Sequence, residues 1–223
     1  MPPVTGIVAR GVLFDMDGVL ISTDGAIRAL WTEIGRPLGI RISDRDFYQH
    51  ILGCAPERTV STLFGELSES VRADVMATVR TREPQLGYEQ IPGAVELVMA
   101  LSAAGAAIAL VTGASAVRAG AVLDAMGIRD AFDALVTWGD VRVGKPAPDC
   151  YLLAARRLGL APERCVAVED ATIGVRSAVN AGMPCIGVGA DKGLFDAGAE
   201  FVVDTLSAVR CQRRPSGVEL VAR

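Results

Sequence analysis

The strongest constraint on this chain's fold is a repeated alternation between short apolar runs and amphipathic stretches of helical period. The apolar runs lie at 12–14, 107–111, 134–136, 165–168, 185–188 and 201–203. Amphipathic segments at about 93–104, 115–126, 149–159 and 171–181 separate the later ones. Short apolar strands alternating with helices predict an α/β fold, a parallel sheet covered by helices on both faces. The alternation pauses once. Between Thr23 and Gln90 no strand-like run occurs, and helical spacing dominates in Ile27, Leu30, Trp31 and Ile34 and in Val60, Leu63 and Phe64. The expected organisation is therefore a core of residues 1–22 and 89–223, with a small helical domain of residues 23–88 inserted after the first apolar run. Hinges are expected at 22–25 and 87–93, and Trp31 is expected in the insert's own apolar core.

Composition removes several classes of function. The 223 residues suffice for one or two domains. A formal charge of −4 and a pI near 5.1 argue against a basic stripe for nucleic acid. A single histidine, His50, excludes multi-histidine zinc sites and leaves a Ser-His-Asp triad one candidate base. His50 is expected on the insert's surface or in its packing. Five cysteines, at 54, 150, 165, 185 and 211, contain no Cys-x-x-Cys pair. They read as reduced, mostly buried thiols of a cytoplasmic protein. The opening Met1-Pro2-Pro3-Val4-Thr5-Gly6 lacks the basic and apolar regions of a signal peptide. Residues 97–117 are uncharged and long enough for a bilayer. Gly105 nevertheless breaks the helix, a strand starts at Ala107, and Thr112-Gly113-Ala114-Ser115 is a polar loop, so no membrane span is expected.

In a doubly wound sheet, ligands bind beyond the carboxyl ends of the strands. The residues just after each apolar run are therefore informative. Asp15-Met16-Asp17-Gly18 succeeds Phe14, and Thr112-Gly113 succeeds Val111. Gly144-Lys145-Pro146 lies beyond Val136, and Glu169-Asp170 comes after Val168. Two carboxylates two residues apart suit a metal site, or a nucleophile with a neighbouring acid/base. Asp and Gly also make ordinary solvated turns. Thr112 can hold an anion or cap a helix starting near Ser115. Glu169 and Asp170 can bind metal or favour a helix start through its dipole. Lys145 is one of only two lysines among 22 basic residues, which singles it out from a solvated loop lysine. Lys192, with Asp191, is expected to be solvated. Pro215-Ser216-Gly217 reads as a turn before a short edge strand.

Taken together, these stretches resemble a known family. Asp15-Met16-Asp17-Gly18-Val19-Leu20 resembles the first motif of the haloacid dehalogenase superfamily, and Val111-Thr112-Gly113 its second. Gly144-Lys145-Pro146-Ala147-Pro148-Asp149 resembles the third motif. Val168-Glu169-Asp170-Ala171, with Gly174-Val175 and Ala181-Gly182-Met183, resembles the fourth. The order is the family's, and the insert lies where one branch carries a cap domain. The resemblance implies a Rossmann-like core and a Mg²⁺-dependent phosphatase acting through an aspartyl-phosphate. Asp15 would be the nucleophile and Asp17 the acid/base. Thr112 and the Gly113 amide would hold phosphate oxygens, and Lys145 would balance charge. Mg²⁺, a hard ion that prefers oxygen ligands, would meet Asp15, the Asp17 carbonyl and Asp170, with Glu169 in contact or one step behind. Arg58, in the loop 53–58 that the resemblance places over the site, would meet a substrate carboxylate or a second phosphate, or else face water.

Family members differ in chemistry. Dehalogenases lack the second aspartate because a halide needs no proton, so Asp17 argues against that activity. Phosphonate hydrolysis uses a cap lysine, and no lysine lies between Asp24 and Tyr88. β-Phosphoglucomutases carry a cap histidine where Ile27 stands and an arginine soon after the glycine of the cap loop, which Gly53-Cys54-Ala55-Pro56 lacks, Arg58 coming two residues later. The overall pattern most resembles the sugar- or polyol-phosphate phosphatases, and the resemblance implies that activity. The mutase, a phosphoglycolate phosphatase and a catalytically silent binding module are the alternatives. The expected partner is a small phosphate ester, with no nucleic acid or membrane, and the expected state is a cytoplasmic monomer.

Overall fold

A computed structural model describes residues 6–222. The N-terminal residues read against a signal peptide, Met1-Pro2-Pro3-Val4-Thr5, lie outside the described residues. The chain opens with strands β1 (Gly6–Ala9), β2 (Gly11–Phe14) and β3 (Ile21–Ser22). A helical segment comes next, with α1 (Asp24–Gly35), α2 (Asp44–Asp46), α3 (Pro56–Leu63) and α4 (Glu69–Arg82). It leads to β4 (Glu89–Gln90), α5 (Ala94–Ala104), β5 (Ala107–Val111), α6 (Ala116–Ala125) and β6 (Ala134–Val136). The sheet is completed through α7 (Asp149–Arg157), β7 (Cys165–Glu169), α8 (Thr172–Asn180), β8 (Cys185–Val188), α9 (Gly193–Asp196) and β9 (Phe201–Val203). A hairpin of β10 (Val209–Arg214) and β11 (Gly217–Ala222) ends the described chain.

The six expected strands form one sheet in the order β6-β5-β2-β7-β8-β9, with every pairing parallel. Strand side chains alternate between faces. Val12 and Phe14 accordingly pack with Ile108, Leu110 and Val168 on one face, under Val98 of α5 and Leu123 of α6. Leu13 packs with Ala109, Val111 and Ala167 on the other, under Tyr151 of α7 and Val175 of α8. Both faces being covered explains why the strands read as unbroken apolar runs. Gly105, at φ 81°, ends α5 in the left-handed conformation that favours glycine, which divides the uncharged stretch as expected. No helix among the described residues is long and apolar enough to cross a membrane. The cysteines Cys150, Cys165 and Cys185 are buried, Cys54 and Cys211 are half-buried, and all are free thiols.

The helical segment leaves and rejoins the sheet through a two-stranded ribbon, in which Ile21 pairs with Gln90 and Ser22 with Glu89. This ribbon was not expected, since two residues carry no readable periodicity. The segment has its own core of Leu30, Trp31, Ile34, Phe47, Val60 and Phe64. Trp31 lies 5.9 Å from the Phe64 ring. Ala171 and Ile173, at the start of α8, join this cluster, so the segment's interior continues onto the sheet domain. His50 is half-buried in this packing, and its carbonyl accepts a hydrogen bond from Thr59.

The C-terminal expectation needs correction. The strand after Pro215 is not an edge strand. β11 is the middle of a three-stranded antiparallel sheet, between β1 and β10. Arg210, Arg213 and Arg214 mask β10, and β1 is set off from β2 by Arg10 alone, so neither partner stood out. Val218 and Leu220 are fully buried in the same core as Phe14. Leu220→Ala is expected to lower the unfolding free energy by about 2–5 kcal/mol. A urea titration followed by circular dichroism measures this, and an unmoved midpoint would show that the hairpin lies outside the cooperative core.

Candidate active site

The carboxyl ends of β5, β2 and β7 lie side by side and bring the candidate residues together. Asp15 continues the β2 ladder, donating its backbone N–H to Val168 at 3.0 Å. Thr112 directly succeeds β5, and Glu169 ends β7 with Asp170 after it. Lys145 enters from the loop between β6 and α7. Its Nζ donates to Asp15 Oδ1 at 2.7 Å and to the Val111 carbonyl at 3.1 Å, and lies 2.6 Å from Glu169 Oε1. Tyr151 of α7 donates its hydroxyl to the same Glu169 oxygen at 2.6 Å. Exposure is 2% for Asp15, 4% for Lys145 and 0% for Glu169.

These groups set each other's ionisation. Burial pushes Asp15 up to about 7, opposed by Lys145 and reinforced by Glu169. Burial also raises Asp170 well above the carboxylate range, with Asp15 and Glu169 adding to it. For Lys145, burial acts to lower the pKa, but Asp15 and Glu169 overcome it and the net shift is upward. The Tyr151 hydroxyl is raised by burial and by Glu169, which keeps it a donor.

One ammonium does not balance this cluster. Asp15, Glu169 and Asp170 present oxygens that lie within 4.8 Å of one another. Asp15 Oδ2, Glu169 Oε2 and Asp170 Oδ1 are buried with no hydrogen-bond partner among the described residues. Buried acceptors left unpaired are costly, and converging carboxylate oxygens suit a hard divalent cation. The residues present therefore fit the magnesium site that the motifs imply. Two glycines make room for it. A side chain at Gly18 would overlap the Asp170 carboxylate, and one at Gly174 would overlap that of Glu169.

Asp17 has different surroundings. Both its oxygens are engaged by Arg118 of α6, Oδ1 to Nη2 at 2.8 Å and Oδ2 to Nη1 at 3.0 Å. Thr23 Oγ1 donates to Oδ1 at 2.7 Å. Arg118 also lies 3.7 Å from Glu83, whose carboxylate accepts from the Ser115 N–H and hydroxyl. The side chain of Asp17 thus serves Arg118 and not the carboxylate cluster. Sequence reasoning passed over Arg118, Thr23, Glu83 and Tyr151. Arg118 occupies the first turn of a helix, where an arginine normally faces water, and nothing local marks it.

Thr112 is buried and its hydroxyl accepts from the Ala114 N–H at 3.0 Å. The cap of α6 is Ser115, which accepts from the Arg118 N–H. Gly113 lies under the loop 53–58 of the helical segment, with the Cys54 carbonyl 3.2 Å from where a Cβ would stand. Two cavities meet here. One is walled by Asp15, Asp17 and Arg118 and, across from them, by Ile27, Leu30 and Trp31. The other, of about 500 Å³, is lined by Arg58, Ser61, Thr112, Gly113, Thr137 and Lys145. Arg58 stands exposed on α3 at that wall, forming no ion pair among the described residues. Asp191 and Lys192 are exposed, as expected.

Residues 9–182 match the family model for haloacid dehalogenase-like hydrolases. With that match and this arrangement of strand ends, the chain belongs to the haloacid dehalogenase-like hydrolase family. It is 32% identical to hexitol phosphatase A of Escherichia coli over 216 residues, covering 93% of this chain and 96% of that one. It is 29% identical to β-phosphoglucomutase of Bacillus subtilis over 208 residues, covering 87% and 88%. Among solved structures it resembles CbbY from Rhodobacter sphaeroides in complex with phosphate, at TM-score 0.75 and 27% identity, covering 90% and 96%.

The buried cluster has a consequence for stability. Asp15 holds its proton in the folded state to about pH 7, against 3.8 as the ordinary value. Between those values the folded protein binds more protons than the unfolded chain, so stability falls as pH rises. Relative to Asp15→Asn, the wild-type protein in EDTA should lose thermal stability from about pH 4 to pH 7. Added Mg²⁺ should restore it at the upper end, by binding the folded state. Melting curves of both proteins across this range provide the check. A difference that is flat or rises with pH in EDTA contradicts this account of the cluster.

Proposed function

We propose that this protein is a phosphatase that hydrolyses a small phosphate monoester, a sugar or polyol phosphate, through an aspartyl-phosphate on Asp15. The observation that carries this reading is the division of labour between two aspartates on one cavity. Asp15 is buried beside Lys145 with one oxygen committed and the other unpartnered. Asp17 faces the same cavity but is held separately by Arg118. Asp15, Asp170 and the Asp17 carbonyl would hold Mg²⁺, with Glu169 in contact or just behind; when bound, the ion supplies positive charge to a phosphate dianion among carboxylates.

The chain's own groups then divide the remaining work. The Asp15 carboxylate attacks phosphorus while Asp17 gives its proton to the departing oxygen. Asp17 next takes a proton from water, whose oxygen displaces Asp15 and frees phosphate. Thr112 and the Gly113 amide hold phosphate oxygens beside the start of α6. Lys145 opposes the charge that accumulates. At an effective dielectric of about 20 and about 4 Å, one such charge pair is worth roughly 4 kcal/mol before desolvation. The helical segment acts as the cap that excludes water, moving on the β3–β4 ribbon to release product. Arg58 meets the far end of the substrate in the larger cavity. We also propose a monomer acting in the cytoplasm, with neither nucleic acid nor membrane as a partner.

The similarity to a β-phosphoglucomutase favours a second reading, transfer of phosphate within a hexose phosphate without its release. Against it, Ile27 lines the cavity beside Asp17 where the mutase pattern calls for a histidine. Phosphate release from sugar, polyol, nucleotide and short-acid phosphates, with Mg²⁺ and with EDTA, decides between them. Mg²⁺-dependent release centred on sugar or polyol phosphates is expected, and Asp15→Asn should abolish it with the fold retained. Release centred on phosphoglycolate would move the substrate class. Isomerisation of a hexose 1-phosphate without release would establish the mutase. Neither reaction, with fold and metal binding verified, would leave a silent binding module.

A further inference from the structure

The reaction proposed above gives no role to the most deeply buried cation outside the carboxylate cluster. Arg118 is 2% exposed, and it lies on the wall of the cavity shared by Asp15 and Asp17. Both its terminal nitrogens are spent on Asp17, at 2.8 and 3.0 Å, across 101 positions of sequence. Its Nε is buried with no partner among the described residues. Burying a guanidinium is costly unless its fork is matched, and a two-point contact with one carboxylate is the match that also fixes orientation. An aspartate left free turns broadly about its last torsion. Here three donors on two oxygens prevent that. Oδ1 accepts from Arg118 and from Thr23, whereas Oδ2 accepts from Arg118 alone. Oδ2 is therefore the oxygen with an open position.

We propose that Arg118 is the positioning residue for Asp17, clamping its carboxyl group so that Oδ2 is presented to the leaving oxygen of the ester. The inference rests on the phosphatase reading. In the first step, an Asp15 oxygen forms its bond to phosphorus as the bond to the ester oxygen breaks, and Asp17 Oδ2 gives that oxygen its proton. In the second step, Asp17 recovers a proton from water, the water oxygen bonds to phosphorus, and the Asp15–phosphorus bond breaks. Arg118 contacts neither reacting centre and acts only through Asp17. Glu83, near Arg118 and tied to Ser115, balances the remaining guanidinium charge.

The test compares two esters that differ in their need for a proton. The alkoxide of sorbitol 6-phosphate must be protonated to leave, whereas p-nitrophenolate leaves as a stable anion. For each, kcat/KM reports the steps up to the first P–O cleavage. With Mg²⁺ present, Arg118→Met should lower kcat/KM for sorbitol 6-phosphate by about 100-fold, the scale of general acid catalysis. It should leave p-nitrophenyl phosphate close to wild type. Arg118→Lys keeps the buried charge but offers one point of contact, so it should fall between. It reads the same ratio if the methionine variant does not fold. An equal fall on both esters would mean that Arg118 merely supports the site, and no fall on either would mean that Asp17 needs no clamp. Both results overturn the inference while leaving the phosphatase reading intact. A wild-type enzyme that releases phosphate from neither ester overturns both.

Discussion

Lys145 is the contact on which the site depends. Its ammonium joins the residue after β2, the last carbonyl of β5 and the last residue of β7, so it fastens three neighbouring strand ends at one point. One positive charge there faces three carboxylates. The remaining negative charge is buried among covered strands, where water cannot screen it, and Asp15 and Asp170 are pushed upward as a result. Without a cation, such a site relieves its excess charge by holding protons on its carboxyl groups. Sterics exclude side chains at Gly18 and Gly174, since a Cβ at either would overlap the Asp170 or the Glu169 carboxylate.

Asp15 and Asp17 are separated by one residue and would share a face if β2 continued. It does not continue. Met16 is fully buried, and its carbonyl accepts from the N–H groups of Val19, Leu20 and Ile21, which turns the chain back on itself. Asp15 is left pointing at Lys145, and Asp17 is carried out to the start of α6. Two like residues thereby receive unlike environments, a buried ammonium for one and a guanidinium fork for the other. Separating the environments of paired carboxyl groups is how one site can hold both a nucleophile and a proton carrier.

How much was legible in the sequence depends on how each part is stabilised. The six parallel strands are buried on both faces, so their residue types announce them, and the strand ends then locate Asp15, Thr112, Lys145, Glu169 and Asp170. β10 carries three arginines, β11 reads only as an edge strand, and β3 and β4 are two residues each. Their pairing is decided by distant partners and not by their own pattern. Arg118 and Tyr151 fail for the same reason. Each is an ordinary helix residue locally, and only the packing of α6 and α7 against the strand ends turns them toward Asp17 and Glu169.

The division between core and helical segment also explains why the class of chemistry is easier to read than its substrate. The groups that would handle phosphorus sit at fixed strand ends within a few residues of recognisable motifs. The groups that would face the rest of the ester come from opposite sides of a seam. Ile27, Leu30 and Trp31 belong to α1, Arg58 to α3, and Thr137 to the loop after β6. That seam has its own fastening, the Trp138 indole donating to the Glu57 carboxylate at 2.6 Å, with Arg80 lying 5.6 Å from the same ring. The cavity's shape is therefore set by how the helical segment docks. Docking combines this exposed contact with buried ones, the packing of Ala171 and Ile173 into the segment's core and Glu83 against Ser115, whereas the strand ends depend on buried charge within the sheet domain. Selectivity can change across such a seam while the chemistry beneath it stays fixed.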